Sequence, residues 1–481
     1  MVFSSLVFVF LFLTLCYTVY IFGKGIKAKN IILLISSLIF YAWGGPALVL
    51  LLCLMTFVCW GGAIVIQRAD GAKSKKALCW VTVLICLSIL FIFKYTGFAI
   101  SQVFALFNID GIVPSIALPI GISFYTFQLI SYVIDVYRGD VAAQKKYWIL
   151  LLYASLFHQC IAGPIVRYAD VNEDINNRVM TREETSRGIS RFTIGLAKKA
   201  ILANGCGSIC DGIFNDAAGN ILSADKISEL SAVAIILGIF CYTLQLYLDF
   251  SAYSDMAIGM GLMIGFHYKE NFNYPYTAVS VTDFWRRWHI SLSTFFRDYV
   301  YIPLGGNRVR ISRHLLNMLT VWLLTGFWHG ANWNYVFWGL YYFIFLVTEK
   351  YVLKPNPSPK GFWRVIRVIP TLVIVFFASI LFKFTDLGTL IRVFFGIFMD
   401  NGNPFVDAQT TMLLVNNVFF LAVCCISCTP VIPKMRELCE KNQTTKKIWT
   451  AIGVAMPAIL VIISACALAG DSYNPFMYFQ F

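Results

Sequence analysis

Asp283-Phe-Trp-Arg-Arg-Trp-His-Ile-Ser-Leu-Ser-Thr-Phe-Phe-Arg-Asp-Tyr299 is the stretch on which the reading of the fold turns. Wound as a helix at about 100° per residue, it gathers Trp285, Trp288, Leu292, Phe295, Phe296 and Tyr299 into one stripe. Arg286, Arg287 and Arg297 face the other way, and His289 falls at the edge of the apolar stripe. From Arg286 to Arg313 six arginines stand against only Asp283 and Asp298. A helix with one aromatic and one guanidinium face suits a membrane surface, where arginines reach phosphates and rings sink towards acyl chains. The expectation is an interfacial helix that turns an imidazole inward.

A second histidine lies in Phe327-Trp-His-Gly-Ala-Asn-Trp333, between apolar runs over 315–327 and 331–347. That puts His329 within or near a bilayer, where a retained ionisable group is a functional candidate. The rest of the chain agrees with a membrane setting. Of its 481 residues 59% are hydrophobic and only 13% charged, against about 25% charged in a soluble domain. Residues 2–22 lack a basic leading segment and read as a span rather than a cleaved signal. Most cysteines, Cys16, Cys53, Cys86, Cys241 and Cys466 among them, sit inside apolar runs as small hydrophobes. Cys206-x-x-x-Cys210 and Cys424-Cys425-x-x-Cys428 lack paired ligands at zinc spacing, so neither a metal nor a bound cofactor is expected. The net charge of +13 is assigned to cytoplasmic loops rather than to nucleic acid.

Taken in order, spans are expected at 2–22, 31–43, 47–66 and 77–93, with a Gly44-Gly-Pro46 turn between the second and third. The basic loops Lys24–Lys29 and Arg68–Lys76 are two spans apart, which places both in the cytoplasm and the N-terminus outside. Residues 95–107 and 115–136 follow, with Pro119 and Gly121 hinting at a broken or re-entrant helix. A span containing His158 is expected at 148–166, then a polar loop over 167–191 and an amphipathic piece at 190–203. Residues 230–266 are too long for one span and hold Asp249-Phe-Ser-Ala-Tyr-Ser-Asp255, implying two helices at a polar corner or one broken helix. The pair around His329 and runs at 365–382, 412–428 and 448–468 complete about eleven spans plus re-entrant and interfacial pieces. With no internal repeat, residues 1–481 read as a single all-α membrane domain.

Residues 283–289, Arg297-Asp-Tyr-Val-Tyr-Ile-Pro-Leu-Gly-Gly-Asn-Arg308 and 327–333 closely resemble the membrane-bound O-acyltransferases. The resemblance is to their bacterial branch: alginate O-acetyltransferase subunit I, peptidoglycan O-acetyltransferases and the teichoic acid D-alanyl transferase. Phe127-x-x-x-Ser-Tyr-Val-Ile-Asp-Val-Tyr-Arg138, Ala162-Gly-Pro-Ile165, Asp249-Phe-Ser-x-Tyr-Ser-Asp-Met-Ala257 and Ser472-Tyr-Asn-Pro-Phe-Met-Tyr-Phe-Gln-Phe481 extend it along most of the chain, around a signature core at about 117–348. Phe157-His158-Gln159 departs from the family, in which proline is expected after the phenylalanine. The resemblance implies a funnel with a central tunnel and His329 at its base. It also implies an acyl thioester donor, acetyl-CoA or an acyl carrier protein, on the cytoplasmic side. Outside it implies a secreted or membrane-anchored acyltransferase partner and a polysaccharide acceptor.

Acyl transfer needs a base for the accepting hydroxyl, and histidine, titrating near 6.5, suits that task. His329 is weighed against a merely buried histidine, and His289 against one placed by packing. Asn332, about one turn on from His329, would orient the imidazole or donate to an oxyanion; the alternative is a helix cap. Arg286, Arg287 and Arg297 would grip donor phosphates or, equally, lipid headgroups. Trp285, Trp328, Asp249 and Asp255 are candidates to line the tunnel, the aspartates alternatively pairing with an arginine such as Arg286. His158 reads as structural, His267 and His314 as loop residues, and Trp322, Trp338 and Tyr341 as packing anchors. Three functions remain open: O-acetylation of an extracytoplasmic polysaccharide, D-alanylation of teichoic acid, and, from another class, transport of an acyl- or lipid-linked intermediate.

Overall fold

The computed structural model describes residues 2–160, 163–355, 359–399, 402–470 and 476–477. Most of the Ser472–Phe481 motif and Ala162 lie outside these residues. A π-helical turn at Val7–Leu13 leads into α1 (Thr14–Phe22), α2 (Gly25–Ala42), α3 (Pro46–Arg68), α4 (Ala72–Lys94) and α5 (Thr96–Phe107). Next come α6 (Ile122–Arg138), α7 (Tyr147–Ser155), α8 (Phe157–Cys160), α9 (Tyr168–Asn177), α10 (Arg182–Ala197), α11 (Asn204–Phe214) and α12 (Ala224–Ile227). The second half holds α13 (Ala232–Met263), α14 (Val281–Trp285), α15 (Ile290–Phe296), α16 (Ile311–His329) and α17 (Trp333–Thr348). It closes with α18 (Phe362–Lys383), α19 (Leu387–Gly396), α20 (Ala408–Ser427), α21 (Val431–Cys439) and α22 (Gln443–Gly470). Among the described residues eight helices are long and apolar enough to cross a membrane: α2, α3, α4, α13, α17 with its π-helical continuation, α18, α20 and α22. Their outer faces carry Leu50, Phe419 and Val454, each more than two-thirds exposed. Such faces belong against lipid, and the chain is an all-α polytopic membrane protein.

Three expectations change. Residues 148–166 are not a span. Gln144 Nε2 donates to the Tyr168 hydroxyl at 2.8 Å, so the two ends of the segment meet. Arg138 and Arg167 both stack on the Tyr299 ring, at 5.1 and 4.9 Å. The chain thus enters through α7 and α8 and returns to the face it left, and Leu150 to Phe157 are almost wholly buried in protein, where irregular backbone is tolerated at membrane depth.

The second change is α13, an unbroken helix of 32 residues, about 48 Å long, where a corner or break was expected. Its carboxylates are met from the side instead. Residues 182–214 run helically without interruption, α10 passing through a π turn at Lys198–Ala203 into α11. They lie antiparallel to α13: a side chain at Gly188 would strike the Gly259 carbonyl, and one at Gly195 the Ala252 carbonyl. At that close approach Lys199 reaches Asp249 at 2.8 Å, and Lys198 and Arg191 reach Asp255 at 2.8 and 3.0 Å. The piece read as amphipathic over 190–203 is therefore the charged middle of a long packed helix.

The third change lies upstream of α6. Residues 109–119 form no regular element, and Gly121 at φ +75° opens the helix, which places the hinted break before Ile122.

Candidate functional site

The signature stretch is not one helix. In a continuous helix the Ile290 amide would bond to the Arg286 carbonyl, but it donates to the Asn271 main-chain oxygen at 2.9 Å. The ladder breaks there, and His289 takes a left-handed backbone at φ 43°, ψ 56° before α15 begins. A non-glycine residue in that region is strained by roughly 1–3 kcal/mol and persists only where its surroundings over-determine it. Asn271, itself fully buried, supplies that constraint. Its Oδ1 faces Ser291 Oγ at 2.8 Å, the Ser291 amide at 3.2 Å and His289 Nδ1 at 3.2 Å, while its Nδ2 donates to Ser254 Oγ at 3.1 Å. An amide oxygen only accepts, so Nδ1 of His289 carries a proton and a neutral ring keeps its lone pair on Nε2. Despite the break the predicted stripe survives: Trp285, Trp288, Leu292, Phe295, Phe296 and Tyr299 are all buried, and Arg286 and Arg297 are exposed.

His329 is the last residue of α16, and Gly330 turns extended, so α17 starts afresh at Trp333. The two helices cross closely, because a side chain at Gly326 would meet the Tyr335 carbonyl and one at Gly339 the Trp322 carbonyl. The buried His329 ring lies edge-on to Trp338 at 4.9 Å and Phe382 at 5.2 Å. It is one wall of a narrow slot lined also by Tyr276, Trp285, Trp288, Trp338, Tyr342 and Phe382. His289 does not line the slot. It packs behind Trp328, which touches both imidazoles, at 5.7 Å from His289 and 5.0 Å from His329. One wall is pinned from outside the motif: the buried Glu349 carboxylate accepts from the Val281 and Thr282 amides, at 2.5 and 2.9 Å, fixing the start of α14 that carries Trp285.

Several expected site residues sit elsewhere. Asp249 pairs with Lys199 and accepts the Met477 amide at 3.0 Å, and Asp255 belongs to Arg191 and Lys198; neither aspartate lines the slot or meets Arg286. Arg287 is bound to Asp283 at 2.9 Å and Arg297 to Asp298 at 2.6 Å, while Arg286 is exposed. Asn332 is not a turn on from His329 along one helix; the break at Gly330 makes it the N-cap residue of α17, with no side-chain cap bond. His158 is buried with Nδ1 on the Tyr268 hydroxyl at 2.7 Å, away from the slot. His314, expected in a loop, lies in the first turn of α16 between the hydroxyls of Tyr301 and Tyr351, at 2.8 and 2.6 Å. Trp338, expected as a packing anchor, is a slot wall. Sequence reasoning missed Asn271, Glu349 and Lys94. Only Lys94, a lone charge ending an apolar run, left any trace in the pattern.

A model of the membrane-bound O-acyltransferase family matches residues 35–390, and the chain belongs to that family. It is an O-acyltransferase and an integral membrane protein. Among its relatives, a probable alginate O-acetylase AlgI of Pseudomonas putida is 36% identical over 502 residues, covering all of both chains. A peptidoglycan O-acetyltransferase of Helicobacter pylori is 29% identical over 530 residues, covering 100% of this chain and 98% of that one. A teichoic acid D-alanyltransferase of Bacillus subtilis is 28% identical over 303 residues, 60% of this chain and 69% of its own. Family membership decides against the transporter reading.

Proposed function

We propose that the protein takes an acetyl group from a cytoplasmic thioester, acetyl-CoA or an acyl carrier protein, and passes it across the plasma membrane for O-acetylation of an extracytoplasmic polysaccharide. The observation that carries this reading is the place of His329 as the histidine among the described walls of the aromatic slot in an O-acyltransferase. In the step proposed, His329 takes the proton of the accepting hydroxyl as its oxygen attacks the thioester carbonyl. The C–O bond forms, the C–S bond breaks, and the proton passes to the departing thiolate. Positioned proton transfer of this kind is worth roughly 10²–10⁴ in rate. Arg286 is the guanidinium offered to the donor's phosphates, since Arg287 and Arg297 are engaged with carboxylates. The acceptor class rests on relatives: two full-length matches, at 36% and 35% identity, are probable alginate O-acetylases, whereas the D-alanyltransferase match covers 60% of the chain. A secreted or membrane-anchored acyltransferase would receive the group outside.

The test is His329→Gln, which keeps size and hydrogen bonding but removes the proton acceptor. Membranes holding normal amounts of this variant, given labelled acetyl-CoA, should put no label into polymer. Wild-type labelling would overturn the assignment.

A further inference from the structure

Lys94 ends α4, where a lysine closing an apolar run ordinarily extends towards headgroups and water. Here it turns inward. Its Nζ donates to the main-chain oxygen of Trp328, to Ser123 Oγ at 3.3 Å and to the His329 main-chain oxygen at 3.5 Å, with the Trp328 ring centroid 5.9 Å away. The next residue, Tyr95, donates its hydroxyl to the Phe327 carbonyl at 2.7 Å. Carbonyls in the last turn of a helix have no partners within it, and together they carry the negative end of its dipole. In α16 those of Phe327, Trp328 and His329 are met from one dipeptide, Lys94-Tyr95 at the α4–α5 corner, which places an amine and a hydroxyl where the helix end needs donors. The far side of the same turn is held too: Trp333 Nε1 donates to Gln102 Oε1 of α5 at 2.8 Å, and the Phe98 ring lies 5.9 Å from that of Trp333. The α4–α5 corner therefore grips His329-Gly-Ala-Asn-Trp333 from both flanks.

We propose that Lys94 is a positioning residue for acyl transfer: with Tyr95 it fixes where α16 ends, and so where the His329 imidazole stands in the slot. The proposal rests on His329 handling the proton. A displacement of about 1 Å at a reacting group can lower a rate by roughly 10²-fold, so the effect should appear in kcat rather than in donor binding. The experiment compares purified full-length wild type, Lys94→Met, Lys94→Arg and Tyr95→Phe in detergent. It reads kcat and KM for acetyl release from labelled acetyl-CoA, normalised to protein that elutes monodisperse. Lys94→Met should lose 10- to 100-fold in kcat with KM changed less than about twofold. Lys94→Arg should recover part of that loss, since it restores the donors, and Tyr95→Phe should lose only a few-fold. Wild-type kcat in Lys94→Met, or a loss confined to KM or to the yield of folded protein, overturns the proposal. His329→Gln runs alongside to separate the two claims. Full activity there overturns the proton-handling role of His329, whereas normal kcat in Lys94→Met with an inactive His329→Gln overturns the positioning role alone.

Discussion

Around His289 the backbone is irregular and the hydrogen bonds run to the ring, whereas α16 is regular to its last residue and the bonds around His329 run to main-chain carbonyls. Asn271 holds the ring of the first histidine, and contacts from α4 and the α4–α5 corner hold the helix end that carries the second. One sits behind Trp328, the other faces the slot. A ring whose tautomer is fixed by a neighbouring amide has the hallmark of an oriented base. A ring that walls a cavity has access to substrate. The comparison therefore separates two requirements of acid–base catalysis, and it predicts that access outweighs orientation here.

The largest expected effect tests that ranking directly. His329→Ala should lose roughly 10²–10⁴ in transfer rate, and His289→Ala less, with the double variant close to His329→Ala alone. Rates per folded protein, measured with labelled acetyl-CoA, decide it. If His289→Ala is the more damaging, the proton passes through the oriented ring and the roles exchange.

The next effect removes the orienting group. Asn271→Ala leaves the Ser291 amide and hydroxyl and His289 Nδ1 without their buried acceptor, each worth about 1–3 kcal/mol when orphaned. Thermal stability should fall by several degrees, and kcat should drop about tenfold if His289 only supports Trp328. Unchanged stability would show that the left-handed turn is held by other contacts.

These contrasts also explain what the sequence could disclose. The stripe from Trp285 to Tyr299 and the inward turn of both histidines were readable, because burial follows side-chain periodicity even across a break. The break itself was not: it depends on Asn271, 18 residues upstream of His289, diverting one amide. Periodicity likewise misread residues 148–166, since an apolar segment buried in protein and one crossing lipid have the same composition. Residues 190–203 failed in the opposite sense. They read as an amphipathic piece, yet the counter-ions of Lys198 and Lys199, Asp255 and Asp249, arrive from α13. Charge pairs between distant helices leave no local pattern, and the inward bonds of Lys94, just beyond the span expected at 77–93, leave none either.

A smaller effect concerns the donor. Arg286→Ala should raise the apparent KM for acetyl-CoA several-fold with kcat nearly constant, because a phosphate grip acts on ground and transition states alike. Arg287→Ala should instead reduce stability slightly, since its partner is Asp283. Equal KM values in both variants would hand Arg286 to lipid headgroups and leave the slot histidine without a recognised donor anchor.

The smallest effect comes from a histidine that is neither buried nor near the slot. His267 is about half exposed, with Nε2 3.0 Å from Glu184 Oε1 and Nδ1 3.3 Å from Asp174 Oδ1. The Glu184 carboxylate, with Asp174 in support, holds the imidazole above its ordinary value of about 6.5, and Glu184 is held lower in return. A base whose folded-state value is raised contributes stability that is fully present below the unfolded value and is lost as pH rises through the folded one. The unfolding midpoint of the wild type should therefore fall slightly between pH 6 and 8, by no more than about 2 °C for an exposed pair in a chain of this size. His267→Gln should flatten that slope and leave transfer unchanged. A slope that persists in His267→Gln would assign it to other groups. Lost transfer in that variant would break the division between buried histidines that serve the reaction and a surface histidine that serves only the fold.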